Sequence, residues 1–371
     1  MRRFTRREFM GRGAKAALTI GASQLVTACP VSDPPFAPID QRARVAAVRG
    51  LDLDAMARDA LAAFGGAGAI INPGERVFIK ANFGAFGMVK YNPVQAGDAT
   101  KPEIVIAVAE ECLKAGASEV IVGEAGQSNS WNWEDVVTLD GTTNMAAAAQ
   151  RLNEAYAGHV TLACLHVDSP TWEPIPSPHT HLGRICVSSL LTQADRVISI
   201  AVIKSHRWTQ VTGALKNFVG VTSGMIYGLG MNWRFLLHDA GIEQCFLDIV
   251  NAVKPDFSIV DCSIGCEGNG PHVLPGWWGT TVDMRERLGD WLLLAGPDLA
   301  AVDATAARVI SHDVAGIDHL CMTYDQGLGQ TREDMIDLDG AQLSALQVDW
   351  LPAEQTEGFR EVLLPGLMLI T

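Results

Sequence analysis

Apolar positions recur at helical spacing from Leu51 to Phe64, and the run ends at Gly65-Gly66, the expected stop of a helix. Pro73-Gly74 then turns the chain into Arg76-Val77-Phe78-Ile79-Lys80, a short β-rich run with the character of a buried strand. Pro102 followed by Glu103 opens a helix over Glu103 to Ala115; Gly116 stops it, and Glu119 to Gly123 predicts the next strand. The alternation returns downstream as strand Arg196 to Ile203, helix Ile242 to Val253, strand Phe257 to Val260, strand Trp291 to Ala295 and helix Asp298 to Ile310. This order predicts an α/β fold: a layered, largely parallel sheet with helices on both faces. Between 127 and 180 the pattern breaks into sequence rich in Trp, Asn and Thr, which predicts an irregular insertion able to cover a site.

The N-terminus stands outside this alternation. Arg2, Arg3, Arg6, Arg7, Arg12 and Lys15 face a single acid, Glu8, and the apolar stretch Ala16 to Ala28 that follows is too short to span a membrane. Residues 1–28 therefore read as a signal peptide, and Thr5-Arg6-Arg7-Glu8-Phe9-Met10 carries the arginine pair recognised by the twin-arginine translocon. Two readings fit Val26-Thr27-Ala28-Cys29: ordinary cleavage after Ala28, or a lipobox whose Cys29 is lipidated. A cysteine placed directly after the apolar region favours the second. The proline-rich stretch from Pro30 to Pro38 lies within a tether over 29–45, leaving 46–371 as the folded domain. The expectation is an exported, periplasmic protein that touches the membrane surface only through a lipid at Cys29.

Charge narrows the partners. Residues 1–28 hold those six bases and one acid, so their removal takes the formal charge from −14 to −19. A surface of that sign disfavours nucleic acid, and a small anionic ligand needs a local basic pocket to overcome it. Besides Cys29 there are seven cysteines, an odd number that cannot all pair internally; several sit in apolar runs, so buried thiols are expected.

In open α/β sheets ligands sit beyond the carboxyl ends of the strands. Those ends deliver Lys80-Ala81-Asn82, Gly123-Glu124-Ala125, Lys204-Ser205-His206, and Asp261 followed by Glu267-Gly268-Asn269-Gly270-Pro271. Lys204 and His206, two apart, share one face of their strand, which suits a base beside a cation. Thr212-Gly213-Ala214-Leu215-Lys216-Asn217 reads as a helix start whose free amides, hydroxyl and lysine could hold an anion. Lys80, Lys204, His206 and Lys216 thus gather positive charge in an acidic chain. His238 is either a ligand or part of a helix start capped by Asp239; Asp298 reads as a helix cap, and Asp303, on the same helix, as an acid with a further role. A metal ion, if bound, would take His206, His238 and Asp261. The spacing of Cys262 and Cys266 is not CxxC and no second pair exists, so an iron–sulfur cluster is not expected; buried thiols are preferred to a disulfide there. GxSxG and Walker loops are absent, as is a GxGxxG after a strand.

In this order the clusters resemble the family known as domain of unknown function 362, across roughly residues 70–315. The resemblance rests on Lys80-Ala81-Asn82 (usually Lys-Pro-Asn in the family), Thr100, Pro102, Gly116-Ala117, Lys204-Ser205-His206, Thr212 to Asn217 with Gly220, His238, Asp261, Glu267 to Pro271, Asp298, Ala301 and Asp303. Some relatives are fused to ferredoxin-like iron–sulfur modules, which this chain lacks, and the layout is similar to that of nickel-dependent lactate racemases. Residues and resemblance together suggest an exported enzyme. Lys204, His206 and Glu267 would carry the chemistry, and Lys80, Asn82, Thr212, Lys216 and Asn217 would hold a small anionic substrate or a metal-containing cofactor. The alternative is a non-catalytic lipoprotein that presents the same pocket to a ligand or a membrane redox partner.

Overall fold

The strands run β1 (Ala43–Gly50), β2 (Arg76–Ala81), β3 (Glu119–Glu124), β4 (His159–Cys164), β5 (Trp172–Ser177), β6 (Gly183–Ser188), β7 (Arg196–His206), β8 (Gln210–Thr212), β9 (Phe257–Glu267), β10 (Thr280–Asp283), β11 (Trp291–Gly296) and β12 (Ile336–Asp339). They belong to a computed structural model that describes residues 40–228, 234–273 and 278–354; Arg6-Arg7, the apolar stretch after them and Cys29 lie outside the described residues. The main sheet has the order β12-β1-β11-β9-β7-β2-β3-β4, with β10 against β9 and β8 against β7. Along that path only β11 runs against its neighbours, so the sheet is largely parallel.

Period-two alternation splits the strands between two apolar layers. Val77, Ile79 and Ala81 of β2, Ile198 and Ile200 of β7, and Leu293 and Ala295 of β11 enter one layer, covered by α1 (Leu53–Ala62), α2 (Pro102–Lys114) and α3 (Met145–Ala155). Phe78, Val197, Val260, Cys262, Leu292 and Leu294 enter the other, under α4 (Ile242–Val253) and α5 (Leu299–Val309). Asp52, Asn144 and Asp298 cap α1, α3 and α5 by accepting a backbone N–H in the first turn.

Three features depart from the sequence expectation. β1 starts at Ala43, inside the stretch read as tether, because its alanines and two arginines give weak β character; it gains its place by pairing with both β11 and β12. The stretch 127–180 contributes α3 and the outer strand β4, whose partly exposed His159 and Thr161 blur the alternation. β7 and β9 run on to His206 and Glu267, so the polar clusters thought to follow these strands lie on them. Cys262 and Cys266 sit four apart on β9, about 13 Å at the rise of an extended strand, beyond the reach of a disulfide. All seven described cysteines are free thiols. Among the described residues no helix is long and apolar enough to cross a membrane.

One buried group makes the domain sensitive to acid. His319 packs edge-on against Phe246 at 5.4 Å, and neither ring nitrogen has a hydrogen-bond partner among the described residues. Burial, with help from Lys216, pushes its pKa down to about 3 from an ordinary 6.5. Below pH 6.5 the unfolded chain takes up a proton that the folded chain refuses, so stability is full above that value and falls toward pH 3. We expect His319→Phe to flatten this limb, removing up to about 1.4 kcal/mol per pH unit, as read by urea denaturation at several pH values. An unchanged slope would contradict the assignment.

Candidate functional site

The connections of the sheet create one reversal point. From β2 the chain steps to β3 and then β4 on one side, then returns to place β7 on the other flank of β2 and β9 beyond it. A crevice forms where neighbouring strand connections diverge, at the carboxyl ends of β2 and β7. A cleft partly open to solvent lies there, lined by Asn82 after β2, Glu124 at the end of β3 and Ala125 to Gln127 after it, Lys204 and His206 of β7, and Lys216 and Asn217 beyond β8. The pairing of β7 with β9 slips between Val202 and Lys204, an irregularity in the strand just before the two candidate residues.

Under the cleft lies a closed polar floor. The Lys80 ammonium is fully buried and donates to Glu124 Oε2 (2.7 Å), Asn217 Oδ1 (3.0 Å) and the Ala81 carbonyl. Burial lowers its pKa while Glu124 opposes that shift. Glu124 also accepts from Phe83 N at 3.1 Å, and Asn217 Nδ2 donates to the Lys80 carbonyl at 2.7 Å, so the floor is cross-linked between β2, β3 and the turn after β8. Gly220 is needed there: a Cβ on it would stand 2.2 Å from Glu124 Oε1 and 2.7 Å from Lys80 Nζ. Lys80 is therefore a structural cation beneath the site, not the anion ligand expected from sequence, because its charge is already matched by Glu124.

Above this floor stand three further cations. Lys204 Nζ donates to Asn82 Oδ1 (3.1 Å) and to the Asp98 carbonyl (2.7 Å), leaving one of its three N–H bonds for a ligand; burial lowers its pKa. Arg234 is buried and bound to Thr222 Oγ1 (2.9 Å), the Thr222 carbonyl (3.0 Å) and the Ala125 carbonyl; burial brings its pKa to about 10. Lys216 differs from both. Among the described residues its ammonium has neither a hydrogen bond nor an ion pair, and its recorded contact is the Phe246 ring at 5.9 Å. Burial lowers its pKa to about 8, with Lys204 and Arg234 adding to the effect and Glu243 opposing it.

The turn that presents Lys216 is held from below. Asp303 on α5 accepts from Ala214 N (2.6 Å) and Leu215 N (2.9 Å), and burial raises its pKa to about 7. Gly213 leaves room for it, since a Cβ there would lie 2.2 Å from Asp303 Oδ1. The amides expected to be free for an anion are thus taken by Asp303. Thr212, paired with Lys204 across β7 and β8, does line the cleft, and its buried Oγ1 has no hydrogen-bond partner among the described residues.

His206 Nδ1 accepts the Trp208 backbone N–H at 3.1 Å, so the neutral ring carries its proton on Nε2. Burial first, and then Lys216, His238 and Lys204, hold its pKa well below the ordinary value, and His238 is lowered in the same way by burial, Lys216 and Arg234. Both histidines line the cleft as uncharged rings. This corrects the proposed metal set. A His206 protonated on Nε2, with Nδ1 already occupied, has no lone pair to give a metal. Asp261 lies elsewhere, accepting from Lys101 N, Ser263 N and Ser263 Oγ and pairing with Lys101 Nζ at 3.3 Å. Among the described residues no group of three His, Cys, Asp or Glu converges as a metal site. A divalent ion would also meet Lys204 and Lys216, so these residues do not fit one.

Glu267 is a second correction. It is clamped by Arg287 at 2.7 and 2.8 Å and accepts from Leu351 N at 2.8 Å, which ties β9 to the C-terminal segment and leaves it outside the cleft lining. Sequence reasoning missed Asp98, Trp208, Arg234, His272 and Trp278, all of which line the cleft. Trp208, two residues beyond His206, carried the best available signal. Asp98 Oδ2 accepts from Tyr91 and lies 3.4 Å from His272 Nδ1, whereas its buried Oδ1 has no partner among the described residues.

Fold and cleft define the class: an α/β protein with a basic crevice at the switch point of a largely parallel sheet. The particular family is Domain of unknown function (DUF362), whose profile matches residues 77–308, and the chain belongs to it. A thylakoid-associated protein of Synechocystis sp. is 25% identical over 283 residues, covering 75% of this chain and 76% of that protein. The lactate racemase apoprotein of Thermoanaerobacterium thermosaccharolyticum is a distant structural neighbour. Its TM-score is 0.34 at 12% identity, over 62% of this chain and 52% of that one.

Proposed function

We propose that the switch-point cleft binds a small anion and that the protein is an enzyme acting on it. The observation that carries this reading is Lys216, a cation facing the cleft with no ion pair or hydrogen bond among the described residues, beside Lys204 with one N–H to spare. Lys216 is half-buried, and a partly desolvated charge left this way is stabilised by a ligand that completes it. The anion would take its charge-assisted bonds from Lys216 and Lys204, with Asn82 Oδ1 holding the Lys204 ammonium in place. Neutral His206 would donate from Nε2. Lys216, with a pKa of about 8, exchanges a proton near neutral pH and is the group best suited to proton transfer, which favours an enzyme over a passive binder. Titration calorimetry of the purified chain with acetate and with inorganic phosphate tests the binding: one saturable site supports it, and no heat of binding with either anion would refute it.

The N-terminus supports a second part of the proposal, that the chain is exported folded by the twin-arginine route and anchored through Cys29. Intact-mass analysis of the protein recovered from its host should show loss of residues 1–28 and a lipid on Cys29. An unprocessed chain would overturn export, and a processed but unlipidated one would overturn the anchor.

A further inference from the structure

The walls of the cleft are not uniformly polar. Among the described residues, five rings meet in an unbroken chain along it: His206 lies 5.4 Å from Trp208, Trp208 5.3 Å from His238 and 6.2 Å from Trp278, and Trp278 5.9 Å from His272. All five line the cleft, and Pro271, Ala85 and Val219 add apolar surface to it. Interplanar angles of 54° to 72° along the chain give the tilted and edge-to-face contacts that aromatic rings prefer, so the wall holds its shape without a ligand. Neither tryptophan is fully buried, although both are large and apolar. A chain of rings left partly uncovered beside cations is matched by a ligand that is itself flat and apolar with a negative group at one end.

We infer that the anion bound here carries a planar aromatic or heteroaromatic ring, which packs against the Trp208–Trp278 wall while its carboxylate or phosphate meets Lys216 and Lys204. This rests on the anion-binding reading above and narrows it to a substrate class. Arg207 is stacked over Trp278 at 4.9 Å, which fixes one face of that ring and leaves the ligand its other surfaces.

Three monocarboxylates separate the possibilities: acetate has no ring, cyclohexanecarboxylate has bulk without planarity, and benzoate has a flat ring. Calorimetric titration of the full chain should rank benzoate tightest, at least about tenfold tighter than acetate, with cyclohexanecarboxylate between them. Trp208→Ala and Trp278→Ala should each shrink the benzoate advantage while leaving acetate binding in place. Both residues are half-buried at the cleft rather than in the core, and retained acetate binding shows that a variant is folded. Equal affinity for benzoate and acetate, a cyclohexanecarboxylate as tight as benzoate, or a benzoate advantage that survives both substitutions would overturn the inference and leave anion binding standing. Failure of all three ligands to bind would overturn the anion reading itself.

Discussion

Lys216→Met is expected to weaken binding of a small anion by about 1.5–3 kcal/mol, the worth of a charge-assisted hydrogen bond, or roughly tenfold to more than a hundredfold in Kd. The side chains are similar in length and apolar bulk, so the contact with Phe246 is largely kept while the charge goes. Folding should not suffer. Lys216 makes no hydrogen bond or ion pair among the described residues, and removing a partly desolvated cation from beside Lys204 and Arg234 relieves repulsion. The signature is therefore a variant as stable as the parent, or more so, with its anion affinity lost. Loss of stability together with affinity would make Lys216 a structural residue, and unchanged affinity would place the anion elsewhere.

Lys80→Met should give the opposite signature. Lys80 and Glu124 are both buried and lie 2.7 Å apart, so removing the lysine leaves Glu124 Oε2 with the Phe83 N–H as its recorded partner. Breaking a buried pair from one side costs about 3–5 kcal/mol, because the surviving charge is neither solvated nor matched. The cost should fall sharply in Lys80→Met/Glu124→Gln, which removes both charges. Urea denaturation of the two single variants and the double variant measures the coupling. Additive costs would show that the pair is not the unit holding β2 to β3.

The contrast between these two lysines marks how far sequence can be read. The α/β layering was legible because buried strands such as Phe257 to Val260 and helices such as Ile242 to Val253 follow simple periodicities, and stop signals such as Gly116 fall where the chain turns. The location of the cleft was legible too, since strand ends in such a sheet are a short list of places. Roles were not. Lys80, Lys204 and Lys216 are the same residue type at comparable positions, and only tertiary pairing separates a neutralised floor cation from one left facing the cleft. Glu267 and Asp261 looked as suitable as any acid, yet Arg287 and Lys101 claim them across distances of 20 and 160 residues. Asp98 and Trp278 reach the cleft from segments with no periodic signal.

The central claim is that a cationic Lys216 holds the anion, and its ionisation gives the most direct test. With burial holding its pKa at about 8, the ammonium is charged below that pH and neutral above it, so anion affinity should be full on the acid side and decline as pH rises through 8. Calorimetric titration with benzoate between pH 6 and 10 should show this decline in the parent chain, and a weaker affinity with no step near 8 in Lys216→Met. An affinity that stays level across pH 8 in the parent chain would contradict the account.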